Sequence, residues 1–150
     1  VHAIESYLSV NASPITDSLA IGAIKLIAKA LPKAYANGAN LQAREDMATA
    51  SLMAGMAFGN AGVGAVHALA YPLGGRFNIA HGVSNADKAV QAMTELCAAV
   101  EIPAGLRSFG VPQEAIPAMA VEAAGIERLM RNNPRKLSAA DIEKIDRAAY

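Results

Sequence analysis

A long stretch without any charged side chain, residues 47–75, constrains this chain more than any other feature of its sequence. Asp46 precedes the stretch and Arg76 follows it. The stretch is long enough to cross a bilayer, but it contains polar residues and several glycines and lacks the aromatic belts of membrane spans. Asn60-Ala61-Gly62 predicts a break in its middle. We therefore interpret it as a buried pair of helices, with a membrane hairpin as the alternative.

Small apolar residues favour an all-helical fold. The hydrophobic fraction is 53%, yet aromatic residues make up only 5%, because alanine supplies much of the total. Alanine is the best helix former and lets helix axes approach closely, and β-branched residues are too scattered for a sheet protein. Ser13 before Pro14, and Ser138 before Asp141, are typical helix starts. Residues 1–150 thus form one all-α helical bundle in this prediction.

Apolar spacing and turn signals predict the bounds of the longer helices. The helix that starts at Ser13-Pro14 is expected to be interrupted by Pro32. The other predicted helices cover about 40–58, from about 61 to a kink at Pro72 with an end at the glycine pair 74–75, and about 87–101.

Charge and cysteine content exclude several classes of partner. The formal net charge is zero, so no basic surface for nucleic acid or anionic membranes is expected. Cys97 is the only cysteine and has no partner for an internal disulfide. A single thiol fits a reducing compartment, and we expect a cytoplasmic protein.

All three histidines occur where a metal ligand could be placed. His2 and His67 lie on predicted helices, and His81 follows a glycine-containing turn. Converging imidazoles together with a carboxylate suit Zn²⁺ or Fe²⁺. A single buried histidine, however, is more often a neutral core residue, and the spacing between His67 and His81 matches no generic metal motif. The spacing alone leaves both interpretations open.

The sequence around these histidines resembles that of the iron-containing (group III) alcohol dehydrogenases. Residues 66–86, VHALAYPLGGRFNIAHGVSNA, are similar to that family's H-x-x-x-[HY]-x-L-G-G and P-H-G signature. The opening HAIESYLS resembles the family's D-x-x-x-H-A-I-E-x-Y helix, and PITDSLAIGAIKLI and AREDMATASLMAGMAFGNAGVGAVH are similar to it as well. The resemblance extends over nearly the whole chain. It implies the all-helical C-terminal domain of a dehydroquinate synthase-like fold.

The resemblance also implies a metal site. The family binds a divalent ion, Fe²⁺ or Zn²⁺, through one aspartate and three histidines, which correspond here to His2, His67 and His81. The aspartate belongs four residues before His2, outside this sequence. The NAD or NADP cofactor belongs to an N-terminal nucleotide-binding domain that this chain does not contain, so the chain alone is expected to be inactive.

The implied reaction is metal-assisted hydride transfer between an alcohol, as a small-molecule substrate, and the nicotinamide, giving an aldehyde or ketone. We expect the enzyme to be a homodimer. Tyr71, one helical turn after His67, is the candidate catalytic residue, which lines the pocket or donates to the substrate oxygen; packing is the alternative. Phe77 and Asn78 lie between the ligands and are candidate substrate-binding residues.

One departure from the family pattern follows Ala86. The family continues there with an apolar helix, whereas this chain runs directly into Asp87. We therefore expect a segment to be missing near residues 86–87. Two alternatives stay open: a glycerol dehydrogenase-like or maleylacetate reductase-like enzyme of the same superfamily, and a truncated helical module without activity of its own. The presence of all three histidines argues against a metal-free member.

Overall fold

A computed structural model describes residues 1–77 and 90–150, and every regular element in these ranges is helical. The predicted all-α fold is therefore confirmed. Short 3₁₀ turns cover Leu106–Phe109 and Gln113–Ala115. The helices are α1 (His2–Leu8), α2 (Pro14–Ala36), α3 (Leu41–Ala61), α4 (Ala65–Phe77), α5 (Val90–Ala99), α6 (Ile116–Ala124), α7 (Glu127–Met130) and α8 (Ala139–Ala148).

Two helices begin at the capping residues that the sequence predicts. The Ser13 hydroxyl accepts from the Thr16 backbone N–H, while the Thr16 hydroxyl accepts from the Ser13 N–H, and Pro14 takes the first helical position. Ser138 and Asp141 form the same reciprocal pair at the start of α8. Each pair satisfies donors that an α-helix leaves without an internal acceptor.

Two predictions about helices that contain proline differ from the structure. Helix α2 continues through Pro32 to Ala36, and α4 continues through Pro72 and the glycine pair 74–75 to Phe77. A proline removes one backbone donor from a helix, but it does not force the helix to end. Pro72 is fully buried. Tertiary packing around that ring outweighs the local preference for a break.

The remaining predicted bounds agree more closely. Asn40 caps α3 by accepting from the Ala43 N–H, and α3 extends three residues beyond the predicted end at 58, to Ala61. Gly62 then forms the break predicted between α3 and α4. The helix predicted over 87–101 corresponds to α5, and its predicted start lies outside the described residues.

The first layer of the core is an antiparallel pair, α2 and α3, with α1 packed against both. Its buried surface is made almost entirely of alanine, which allows the close approach of helix axes expected from the composition. Leu19, Ile24 and Met53 fill the margins of this cluster. Its buried members are Ala3, Ala20, Ala23, Ala54 and Ala57.

The second layer is built on α4, which packs against α6 and α7, while α6 packs against α8. Larger apolar side chains fill this layer and form two clusters. The first contains Val63, Ala65, Ala68, Leu69, Ala120, Ala123, Leu129 and Ile142, and the second contains Leu73, Leu106, Val111 and Met119. Helix α4 thus joins this layer to the end of α3.

The chain after α1 is tied to both layers by hydrogen bonds. The Ser9 hydroxyl donates to the Ala61 carbonyl oxygen at 2.6 Å. The Val10 N–H donates to the Asn132 carbonyl oxygen at 3.2 Å. These bonds hold the C-terminal end of α1 against the junction between α3 and α4, which brings the first turn of α4 next to α1.

Within residues 1–77 and 90–150, no single helix is long and apolar enough to span a membrane. Helices α3 and α4 reach the required length and composition only as a pair, and they are bent by 113° at their junction.

Candidate metal centre

Two of the three histidines meet at the contact between α1 and α4. His2 is the first residue of α1 and His67 lies in the first turn of α4. Their Nε2 atoms are 3.1 Å apart, and their ring centroids are 4.9 Å apart. Phe58 of α3 stacks on the His2 ring at 4.5 Å between centroids. The fold therefore brings together two imidazoles that are far apart in the sequence and supports one of them with an aromatic ring.

A buried carboxylate stands behind the second imidazole. Glu5 is one helical turn after His2, which places both side chains on the same face of α1. The Glu5 Oε2 atom lies 2.5 Å from Nδ1 of His67, and only 4% of the Glu5 side chain is exposed. Nδ1 is the ring nitrogen that does not face His2. Glu5 thus contacts Nδ1 of the His67 ring, and His2 contacts Nε2 of the same ring.

The same carboxylate binds the backbone of α4. The other Glu5 oxygen, Oε1, accepts from the His67 backbone N–H at 3.0 Å. The same N–H also donates to the Gly64 carbonyl oxygen at 3.2 Å, so the two acceptors share it. A negative charge at the first turn of a helix is favoured by the helix dipole. Glu5 therefore caps α4 from a different helix and, with its second oxygen, contacts the His67 ring.

The contact with Glu5 bears on which His67 nitrogen carries the proton when the ring is neutral. A neutral imidazole carries its proton on one nitrogen only. Since a carboxylate oxygen accepts hydrogen bonds, it favours the proton on Nδ1 and leaves the lone pair on Nε2. That lone pair points toward His2. Ring nitrogens that bind one ion at about 2.1 Å are separated by about 3.0–3.5 Å, and the observed 3.1 Å fits such a shared ion.

The third predicted ligand, His81, lies outside the described residues. Within the part of the chain that the structure describes, no group of three His, Cys, Asp or Glu side chains could hold a metal ion. Of the predicted centre, the described residues therefore contain the His2–His67 pair, with Glu5 in contact with His67. The assignment of His81 stays a prediction.

Tyr71 lies one turn after His67 on α4, in a more open environment. It is 45% exposed. Its phenolic oxygen accepts a hydrogen bond from Nη2 of Arg128 at 2.8 Å, and the guanidinium lies 5.9 Å from the ring centroid. Accepting one bond leaves the phenolic proton available as a donor. The catalytic role of Tyr71 stays a prediction, alongside its visible role in binding α7.

The two predicted substrate-binding residues are near the end of the described range. Phe77, the last residue of α4, is half-buried and packs against the second-layer cluster of Leu73 and Met119. Asn78 lies outside the described residues. Both assignments stay predictions, and the contacts of Phe77 are those of a packing residue.

Glu5 is the site residue that the sequence analysis missed. Its signal is present, because Glu5 follows His2 by three residues in HAIES and must share a helix face with it. Its partner His67 is 62 positions away. Nothing acidic is close to His67 in the sequence, so the contact becomes visible only when α1 and α4 are packed together.

Comparison with protein families matches this chain to a family described as "Fe-containing alcohol dehydrogenase family, C-terminal". The match consists of two segments, residues 1–87 and 84–150. The two segments together cover the whole chain and meet within residues 84–87.

Individual relatives agree with the family match. The long-chain-alcohol dehydrogenase 1 of Geobacillus thermodenitrificans is 41% identical, with coverage of 99% of this chain and 47% of the relative. The NAD-dependent methanol dehydrogenase of Bacillus methanolicus is 34% identical, with coverage of 96% and 48%. A crystal structure of a 1,3-propanediol oxidoreductase aligns with a TM-score of 0.91 at 37% identity, covering 99% of this chain and 49% of the other. The chain thus spans about half the length of these relatives.

The alignment lengths reveal unmatched positions inside the relatives. The alignment with the Geobacillus enzyme has 187 positions, while this chain has 150 residues. At least 37 aligned positions (187 less 150) therefore face no residue of this chain.

Proposed function

Because this chain belongs to the Fe-containing alcohol dehydrogenase family and matches its C-terminal part, we propose that it forms the metal-holding part of an NAD(P)-dependent alcohol dehydrogenase. The substrate would be a small-molecule alcohol of either short or long chain, converted to an aldehyde or ketone and back. His2, His67 and His81 would hold Fe²⁺ or Zn²⁺, together with an aspartate that lies outside this sequence. The relatives' names, which include long-chain-alcohol and methanol dehydrogenases, support the reaction class.

The observation that carries this proposal is the convergence of two Nε2 atoms at 3.1 Å across the contact of α1 and α4. At this distance one ring can donate a hydrogen bond to the other, and the same separation also fits two nitrogens that share one divalent ion at about 2.1 Å. Converging imidazoles are the donor type that Zn²⁺ and Fe²⁺ prefer. Their convergence also disfavours the metal-free alternative within the superfamily.

The residues of this chain would bind the ion and orient its ligands. A bound divalent ion supplies Lewis acidity, which lowers the pKa of an alcohol oxygen, and a nicotinamide accepts the hydride. His2 and His67 must stay neutral to offer their lone pairs. Stacking on Phe58 holds the His2 ring, and Glu5 holds the His67 ring. Tyr71, one turn further along α4, is proposed to donate to the substrate oxygen.

We further propose that this sequence lacks an internal segment near residues 86–87. Two observations support this proposal: the family match divides within residues 84–87, and at least 37 aligned positions of the Geobacillus relative have no counterpart (187 less 150). A mass of the purified protein larger than 15.5 kDa by several kilodaltons would support a segment that the protein contains and this sequence lacks. A peptide covering Ala86-Asp87 in a tryptic digest would instead support a covalent deletion.

The nucleotide-binding domain is proposed to precede His2 in the full gene product, because the relatives are about twice as long as this chain. A cytoplasmic location and a homodimer are proposed with it. The single Cys97 supports the reducing compartment. Light scattering on the full gene product gives the dimer a direct test.

The test of the proposed function uses the full gene product with His2→Ala, His67→Ala or His81→Ala. Each variant should lose bound Fe²⁺ or Zn²⁺, measured by elemental analysis. Each should also lose alcohol-dependent NAD(P)⁺ reduction by about 10³-fold, since Lewis-acid stabilisation contributes several kcal/mol. Full metal content and full rate in His67→Ala would make the three histidines core residues. Glu143→Gln, which alters an exposed ion pair with Arg147, is the control.

A further inference from the structure

We propose that Glu5 is a positioning residue of the metal centre, which fixes the tautomer of His67 so that Nε2 carries the lone pair offered to the ion. This inference rests on the proposed function. It adds a residue that is not a ligand and touches neither substrate nor nicotinamide. Its effect is exerted through the His67 ring.

The geometry defines the task of each carboxylate oxygen. Oε1 accepts from the His67 backbone N–H at 3.0 Å, and Oε2 lies 2.5 Å from Nδ1. With both contacts made to one residue, the carboxylate fixes the start of α4 and the orientation of the ring together. The His67 side chain is 13% exposed and that of Glu5 is 4% exposed, so water competes little for either contact.

A purely structural role for Glu5 makes a different prediction. If Glu5 served only as a helix cap, the bond from the His67 N–H to Oε1 would carry its whole effect. Glu5→Gln keeps an oxygen for that bond but can place an amide NH₂ group against Nδ1. An NH₂ group donates, so Nδ1 must become the acceptor and the proton moves to Nε2. The variant therefore preserves the cap and reverses the tautomer.

The first readout is nitrogen NMR of the metal-free full gene product labelled with ¹⁵N-histidine. Wild type should show His67 protonated on Nδ1, and Glu5→Gln should show it protonated on Nε2. The wild-type spectrum is a test by itself, even if the variant fails to fold. A wild-type His67 protonated on Nε2 would overturn the inference.

The second readout is Zn²⁺ affinity, measured by competition with a chromophoric chelator. Hydrogen-bond partners of metal-ligating histidines change affinity by roughly 10- to 100-fold when removed. Glu5→Gln should therefore bind Zn²⁺ roughly 10- to 100-fold more weakly than wild type. The control is Glu122→Gln on α6, which removes an exposed carboxylate that binds Arg76 of α4, the helix that carries His67. Its Zn²⁺ affinity should equal that of wild type.

The two readouts separate this inference from the proposed function. Equal Zn²⁺ affinity in wild type and His67→Ala would overturn the proposed metal centre. The His67 tautomer would then still show whether Glu5 fixes the proton on Nδ1. Unchanged Zn²⁺ affinity and an unchanged tautomer in Glu5→Gln would overturn the role of Glu5 and leave the histidine ligands in place. Weaker Zn²⁺ binding with a reversed tautomer supports both.

Discussion

Glu5 and Asp146 are the buried carboxylates among the described residues, and each residue is 5% exposed, yet their surroundings differ. Glu5 contacts the ring and the backbone N–H of His67. No hydrogen bond to the Asp146 side chain is present among the described residues, and burial alone raises the pKa of its carboxyl to about 6. Equal burial therefore has opposite consequences. The charge of Glu5 is stabilised by its contacts with His67, whereas the charge of Asp146 is opposed by folding.

A double-mutant cycle on Glu5 and His67 tests most directly whether Glu5 is stabilised by its partner. His67→Ala removes the ring partner of a buried carboxylate and should lower the free energy of unfolding by about 3 kcal/mol. Adding Glu5→Gln to that variant should recover part of the loss, because the charge that needed the ring is gone. Urea unfolding of the four metal-free proteins measures the coupling. Additive losses would mean that the two side chains do not interact.

Asp146 should respond with the opposite sign. Because burial raises its folded pKa above that of the unfolded chain, ionised Asp146 destabilises the fold above about pH 6. This penalty disappears as the pH falls toward 3.8, the ordinary value. Asp146→Asn should therefore raise the free energy of unfolding by about 2 kcal/mol at pH 8, with little gain at pH 4.

Asp141 on the same helix provides the control for that experiment. Hydrogen bonds from Ser138 hold the pKa of its carboxyl below the ordinary range, so its stabilising effect is present at neutral pH and is lost as the pH falls through the lowered pKa. Asp141→Asn should destabilise at pH 8, where Asp146→Asn stabilises. A loss of stability at pH 8 in Asp146→Asn would reveal a stabilising partner and abolish the contrast with Glu5.

Much of the fold follows from local signals. Capping at Ser13, Asn40 and Ser138 depends on neighbours a few residues away, and the apolar stripes depend on helical spacing. The course of a helix through an internal proline does not follow from local signals. Pro72 stays within α4 because other helices bury it, and that burial depends on contacts distant in the sequence.

The candidate site divides in the same way. The resemblance to a known family predicts that His2 and His67 are ligands, and the structure brings their rings together. The role proposed for Glu5 does not follow from the motif HAIES that contains it, because that role depends on His67 of α4, which is far away in the sequence. The environment of Tyr71 is likewise set by Arg128 of α7.

A substitution at Gly62 tests whether the junction of α3 and α4 supports the Glu5–His67 contact without affecting Asp146. Its φ is +74°, and an added Cβ would lie 2.6 Å from Nδ2 of Asn132, which donates to the Val63 carbonyl oxygen. Gly62→Ala should cost about 1.5 kcal/mol in unfolding free energy.

The control is Gly59→Ala, in the helical part of α3, where an added Cβ meets no atom within 4 Å. It should stabilise by up to about 1 kcal/mol, because alanine is the better helix former. Gly62→Ala should also weaken Zn²⁺ binding, as the junction orients the first turn of α4, while the pH response of Asp146 should not change. A Gly62→Ala protein with wild-type stability would mean that the junction relaxes without strain.

The smallest expected effect belongs to Tyr71, which lies one turn beyond His67 but outside the buried contact with Glu5. Tyr71→Phe removes the acceptor for Arg128 and keeps the ring under the guanidinium, so the free energy of unfolding should change by less than about 0.5 kcal/mol. Metal content should equal that of wild type, since the His2–His67 pair is untouched. If the phenol donates to the substrate oxygen as proposed, kcat should fall by about five- to tenfold, which corresponds to about 1 kcal/mol. An unchanged kcat would assign Tyr71 to packing against α7. A loss of metal would show that the geometry of the His2–His67 pair depends on Tyr71.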